Sequence, residues 1–167
     1  AKQMTVSELP LRFHGGILPE PQRHVAFNWR PRLKKGRLPK RLEHDCQICL
    51  KNQQIFLFVP QVRLLKPVAN RLSILLPAVR IETVHANDPE QIEKIAAFRA
   101  QQIQLMVTTT ILERGVTFKN VAVLVLGAEH MVFNEAVLVQ IAGRAGRHKD
   151  YTQNPVHFYY QDYTRAI

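Results

Sequence analysis

Gln54-Ile-Phe-Leu-Phe-Val-Pro60 is a continuous apolar run of strand length. A sheet with one wet face imposes polar alternation, and this segment has none, so it reads as a strand covered on both faces. Outward from it the pattern repeats. Arg80 to His85, Gln104-Leu-Met-Val-Thr-Thr109, Asn120 to Leu126 and Val156 to Tyr160 read as further strands. A helix ends near Asn52, and Val62 to Leu76 forms the next. Pro67 is tolerable there only within the first turn, where N–H groups have no intrahelical partner, so that helix should start near Arg63 or Leu64. Asn87-Asp88-Pro89-Glu90 carries a cap and a first-position proline, and places Ile92, Ile95, Ala96 and Phe98 on one helical face. Asn134 to Arg144 is another helix. Alternating strands and helices specify an α/β fold with a mainly parallel sheet, helices on both faces, and ligands gathered beyond the carboxyl ends of the strands.

The 167 residues suffice for one domain with a substantial core and no disulfides. A formal net charge of +10 points to a polyanionic partner, nucleic acid or an anionic membrane surface. No run of 18 apolar residues and no signal-peptide pattern occurs, which limits membrane contact to peripheral association at the inner face and makes a cytoplasmic setting the default. Cys46 and Cys49 form a lone C-x-x-C in a helical segment. With His44 they offer at most three of the four ligands of a structural zinc, so they read as two half-buried helix cysteines, and no metal site is expected.

Residues 1–40 are basic and irregular, interrupted by Gly15-Gly16, Pro19, Pro21, Pro31, Gly36 and Pro39, and read as a segment that wraps over neighbouring structure. Leu9 to His14 and Arg23 to Phe27 are candidate strands within it. Residues 41–167 form the regular domain. Arg30, Arg32, Lys34, Lys35, Arg37, Lys40 and Arg41 make a cationic run that is either a solvated face or a nucleic-acid contact. His85, at a strand end, either touches a nucleic-acid backbone or bonds within its own loop. Phe13, Phe27, Trp29, Tyr151, Tyr159 and Tyr160 could stack bases, although packing accounts for most of them.

Two segments carry chemistry. Thr108-Thr-Thr-Ile-Leu-Glu-Arg-Gly-Val-Thr-Phe118 leaves a strand at its carboxyl end and enters a helical turn, concentrating hydroxyls and free N–H groups. Such a junction holds an anion, and Thr109 is the first choice for contact with a phosphodiester backbone. The alternative is that the threonines simply favour strand and cap geometry. In Gln140-Ile-Ala-Gly-Arg-Ala-Gly-Arg147, Gln140, Arg144 and Arg147 share one helical side. Gly143 and Gly146 each cost a helix about 1 kcal/mol relative to Ala, which suggests close approach of a ligand to the backbone. Guanidinium groups grip phosphate oxygens bidentately, so a phosphate fits; a helix C-cap with favourably placed cations is the other reading.

The spacing of Thr108-Thr109 to Arg114-Gly115, followed by Gln140-x-x-Gly143-Arg144-x-Gly146-Arg147, resembles motifs V and VI of superfamily 2 helicases. Phe56-Leu-Phe-Val-Pro60 resembles their motif IV strand. The likeness spans about Ile55 to Arg147 and implies the second, C-terminal lobe of a RecA-like, three-layer motor. More narrowly, both motif segments resemble the ComFA family, ATPases of bacterial competence and DNA uptake. Primosomal PriA-type helicases share the second motif but usually carry Lys in place of Arg114.

The resemblance implies that Arg144 and Arg147 reach the terminal phosphates of ATP from across a cleft, with Arg147 as the finger and Gln140 orienting them. Thr108, Thr109 and Thr110, with Arg114 and His85, would face DNA. Gly115, Thr117, Gly143 and Gly146 would lie near the nucleotide, although related helicases often have Asp at the position of Thr117. ATP and Mg2+ would be bound mainly by the other lobe, because no G-x-x-x-x-G-K-[ST] and no D-E-x-[DH] occurs in this chain. Alone, the chain is therefore not expected to hydrolyse ATP. Implied partners are single-stranded DNA, the N-terminal RecA-like lobe of the same protein, and competence uptake proteins such as ComFC and the ComEC channel. ComFA-like proteins also carry a four-cysteine zinc motif near their start, which Cys46 and Cys49 do not match. Tyr163-Thr-Arg-Ala-Ile167 reads as cut before a final helix. Competing readings are a PriA-like or RecG-like fork helicase lobe, and a nucleic-acid-binding module without catalysis.

Overall fold

A computed structural model describes residues 22–109, 120–130, 133 and 156–161. In chain order the elements are β1 (Gln22–Val25), α1 (Trp29–Lys34), α2 (Lys40–Cys49), β2 (Gln54–Phe58), a 3-10 turn (Val62–Leu64), α3 (Leu65–Leu75), β3 (Ile81–Val84), α4 (Gln91–Arg99), β4 (Leu105–Thr108), β5 (Val121–Leu126) and β6 (Val156–Tyr160). The strands form one six-stranded sheet in the order β1-β6-β5-β2-β4-β3. Every pairing is parallel, so all six carboxyl ends share one edge.

The apolar run at 54–60 is the centre of this sheet, paired with β4 on one side and β5 on the other. Side chains alternate across a strand, and the core divides accordingly. Ile55, Leu57 and Val59 join Leu105, Val107, Leu124 and Tyr159 on one face, beneath Leu33, Leu42, Cys46, Leu65, Val68 and Leu72 of α1, α2 and α3. Phe56 and Phe58 join Met106, Val123, Val125 and Phe158 on the opposite face, together with Phe98 of α4. A sheet buried on both sides needs apolar residues at every position, which is why β2, β4 and β5 lack alternation. Pro67 lies in the first turn of α3, as its missing N–H requires.

Several expectations need correction. Within the segment expected to be irregular, Trp29–Lys34 is helical, and the cationic run continues into α2 at Lys40 and Arg41. Trp29, Leu33 and Leu38 anchor it by burying in the same core as β2. The helix expected from Asn87 begins at Gln91, because the Asp88 carboxylate accepts the Glu90 N–H at 2.8 Å and closes a turn around Pro89 instead. Ile92 is 80% exposed and takes no part in the core that holds Phe98. Cys46 and Cys49 are both buried rather than half-buried. The strand expected at Leu9 to His14 and the helix expected at Asn134 to Arg144 lie outside the described residues. Among the described residues no helix is long and apolar enough to cross a membrane.

Candidate nucleic-acid interface at the carboxyl edge

β4 delivers Thr108 and Thr109 to the ligand-gathering edge of the sheet. Thr108 is in register with Phe58 of β2 and Val84 of β3, and its carbonyl accepts the Val59 N–H at 2.8 Å. Thr108 is fully buried, and its hydroxyl lies 3.3 Å from the carbonyl oxygen of Thr109. Thr109 directly follows the strand, with its Oγ1 buried and, among the described residues, without a hydrogen-bond partner. A hydroxyl left unpaired in this way costs stability, so its persistence at a strand end needs a reason.

His85 follows Val84 directly, which brings it to the strand end beside Thr109. Its Nδ1 accepts the Asn87 N–H at 3.2 Å, so the imidazole is engaged within its own loop. The same loop is held by Lys94, whose ammonium donates to the Thr83 carbonyl and to Asp88 Oδ2, both at 2.7 Å. Burial works to raise the Asp88 pKa, but the Lys94 and Glu90 hydrogen bonds outweigh it and hold the carboxyl below its ordinary range.

Further along the edge, α1 and the 3-10 turn begin just past the carboxyl ends of β1 and β2. Between them lies a cavity of about 490 Å³ lined by Arg30, Lys34, Arg63, Leu64 and Pro67. Arg30 is set by two contacts: its guanidinium stands 4.4 Å over the Trp29 ring and donates to Gln61 Oε1 at 3.3 Å. The Trp29 indole packs against Gly127, whose φ of +79° and close approach leave no room for a Cβ, which would fall 2.6 Å from the ring.

The fold thus gathers Thr108, Thr109 and His85 at neighbouring strand ends, with a cationic groove on the same edge. Thr110, Arg114, Gly115, Thr117, Gln140, Gly143, Arg144, Gly146 and Arg147 lie outside the described residues. From sequence Arg63 reads only as a candidate helix start and not as a site residue. Its signal is position, five residues after central strand β2 ends at Phe58.

Residues 40–149 match the helicase conserved C-terminal domain, and the chain belongs to that family. It is similar to the competence protein ComFA of Bacillus subtilis, with 39% identity over 166 residues, covering 99% of this chain and 35% of that protein. ComFA of Streptococcus pneumoniae is 33% identical over 162 residues, 95% of this chain and 37% of that protein. The chain therefore spans about a third of the length of these curated relatives. Among solved structures, Saccharomyces cerevisiae Dbp5 bound to Gle1 and IP6 superposes with a TM-score of 0.63 at 16% identity, over 85% of this chain and 36% of that one. The Mycobacterium smegmatis helicase Lhr, bound to ssDNA and AMP-PNP, gives a TM-score of 0.63 at 18% identity over 86% of this chain and 20% of that one. These two likenesses establish the fold.

Proposed function

We propose that this chain is the second motor lobe of an ATP-dependent single-stranded DNA translocase serving DNA uptake in competence. The observation that carries the reading is the Thr109 hydroxyl at the carboxyl end of a central strand, buried and without a hydrogen-bond partner among the described residues, in a helicase C-terminal domain similar along nearly its whole length to ComFA. A phosphodiester oxygen supplies the acceptor that Thr109 lacks. Arg30, Lys34 and Arg63 add cations that track a polyanion without reading its bases.

In this reading ATP and Mg2+ sit mainly on the N-terminal lobe. Arg147 crosses the cleft to the terminal phosphates, Arg144 assists and Gln140 orients the pair. Gly115, Thr117, Gly143 and Gly146 lie close to the nucleotide, while Thr109, Thr110, Arg114 and His85 face the strand and the fully buried Thr108 supports Thr109 from behind. Closure of the lobes neutralises charge on the transferred phosphoryl group, and reopening after hydrolysis advances the DNA held by Thr109. An arginine in this position contributes on the order of 10³ to 10⁵ in rate. Single-stranded DNA, the other lobe and the competence uptake proteins are the partners that follow, at the inner face of the membrane.

The test is Arg147→Ala in the full-length protein. DNA-stimulated ATP hydrolysis should be abolished with nucleotide binding largely retained, and unchanged turnover removes Arg147 from this role. Mixing this chain with a separately expressed first lobe should restore hydrolysis. Failure to do so with both lobes folded favours a purely binding role.

A further inference from the structure

On the face of the sheet covered by α2, three metal-ligating side chains converge from elements distant in sequence. β1 contributes His24, α2 contributes Asp45 and β6 contributes His157. Their ligand atoms form a closed triangle: His24 Nε2 to His157 Nδ1 is 3.0 Å, His157 Nδ1 to Asp45 Oδ2 is 3.5 Å, and His24 Nε2 to Asp45 Oδ2 is 3.6 Å. All three edges join the same three atoms. Four-coordinate zinc with bonds of about 2.0–2.1 Å holds its ligand atoms about 3.3–3.4 Å apart, whereas octahedral coordination at that bond length brings them to about 2.9–3.0 Å. The observed edges average close to the tetrahedral value.

We infer that His24, Asp45 and His157 bind a divalent transition-metal ion of the zinc type, with water as fourth ligand. Two imidazole nitrogens and one carboxylate oxygen are a donor set suited to zinc. The surroundings are those of a supported site. Tyr159 donates its hydroxyl to Asp45 Oδ2 at 2.5 Å, the kind of bond that orients a ligating carboxylate. Arg41 Nε donates to Asp45 Oδ2 at 3.3 Å and lies 3.2 Å from Oδ1, so a metal ion taking Oδ2 displaces the guanidinium from that oxygen. The Arg41 side chain is 52% exposed and can swing aside, leaving an entry path beside the partly exposed His24. The consequence is structural. One ion ties edge strand β1 to β6 and to α2, adding to the backbone ladder and the His24–His157 contact that hold this four-residue strand.

The competing account is a histidine pair sharing a proton beside Asp45, with no affinity for metal. Nearby Cys46 and Cys49 are the other conceivable ligands. To separate these, the 167-residue chain without an affinity tag is stripped with chelator and titrated with ZnCl2 and CoCl2. The expected result is one equivalent of zinc, a rise in Tm on zinc addition, and a tetrahedral cobalt spectrum without thiolate charge transfer. His24→Gln, at the most exposed ligand, should weaken zinc binding more than about 100-fold and abolish the Tm rise, while Tyr159→Phe should weaken it about 10- to 100-fold. The variant with both Cys46→Ala and Cys49→Ala should bind as the parent does. No binding by the parent chain, thiolate bands in its cobalt spectrum, or affinity unchanged in His24→Gln would each overturn the assignment. The parent measurements decide the question even where a variant does not fold, and they do not depend on DNA or ATP.

Discussion

The Trp29 indole Nε1–H donates to Glu129 Oε2 at 3.0 Å and ties the start of α1 to the loop after β5. The second oxygen of the same carboxylate accepts the Gln161 N–H at 2.8 Å, and the Gln161 side chain accepts the Asn28 N–H at 2.8 Å. One acidic residue thus locks α1 to the ends of two strands. Glu129→Gln replaces one acceptor by a donor that must face either Trp29 or Gln161. The expected loss is about 1–3 kcal/mol in urea unfolding. Combined with Trp29→Phe, the double variant should lose less than the sum of the single variants. Full additivity would show that the bond does not couple the two residues.

Gly127→Ala should destabilise the fold by about 1–3 kcal/mol, since alanine meets both an unfavourable positive φ and the Trp29 ring. Gly36→Ala carries only the conformational part of that cost, because no atom lies within 4 Å of its Cβ position. Thermal melts of the two variants side by side check the difference. Equal losses would remove the steric contribution.

The cationic groove makes a prediction about salt. Replacing Lys34 and Arg63 by Ala should weaken binding to single-stranded DNA of any sequence and flatten the plot of log affinity against log salt by about 0.7 for each phosphate no longer neutralised. Fluorescence anisotropy over a salt series reads this directly. A slope equal to that of the parent places the groove off the DNA path.

Burial pushes the Cys49 thiol up to about 11, with the Asp45 carboxylate adding to the shift, and drives Cys46 further in the same direction. Only the thiolate is nucleophilic. At pH 8 both cysteines of the folded chain should therefore react with iodoacetamide at least about 100-fold more slowly than in urea. Labelling followed by mass spectrometry measures this, and rapid modification of the folded chain would show that α2 opens readily.

Asp88 gives a pH dependence of defined sign. Its carboxyl titrates below the ordinary value of 3.8, so its contribution to stability is fully present above that value and disappears as pH falls through the lower, folded value. Asp88→Asn should accordingly be less stable than the parent at pH 7, with the gap narrowing below about pH 4. A gap constant from pH 7 to pH 2 would mean that the Lys94 pair is not its source.

What the sequence determined by itself was local in origin. β2, β4 and β5 are legible because a strand buried on both faces must be largely apolar throughout, and Pro67 dates the start of α3 because a missing N–H is harmless only in a first turn. Thr108 and Thr109 could be placed at a strand end for the same reason. Strand order, by contrast, depends on which surfaces bury best together, and no local pattern encodes that β1 closes against β6 more than 130 residues later, with Gln22 opposite His157. Ile92 shows the same limit at small scale, for periodicity tells which residues share a helical face but not how far the sheet extends beneath it. Arg63 meets Arg30 and Lys34, and His24 meets Asp45 and His157, only because parallel pairing aligns every strand in one direction. Burial of the two sheet faces drives that pairing, and the side chains it juxtaposes are neighbours in space alone.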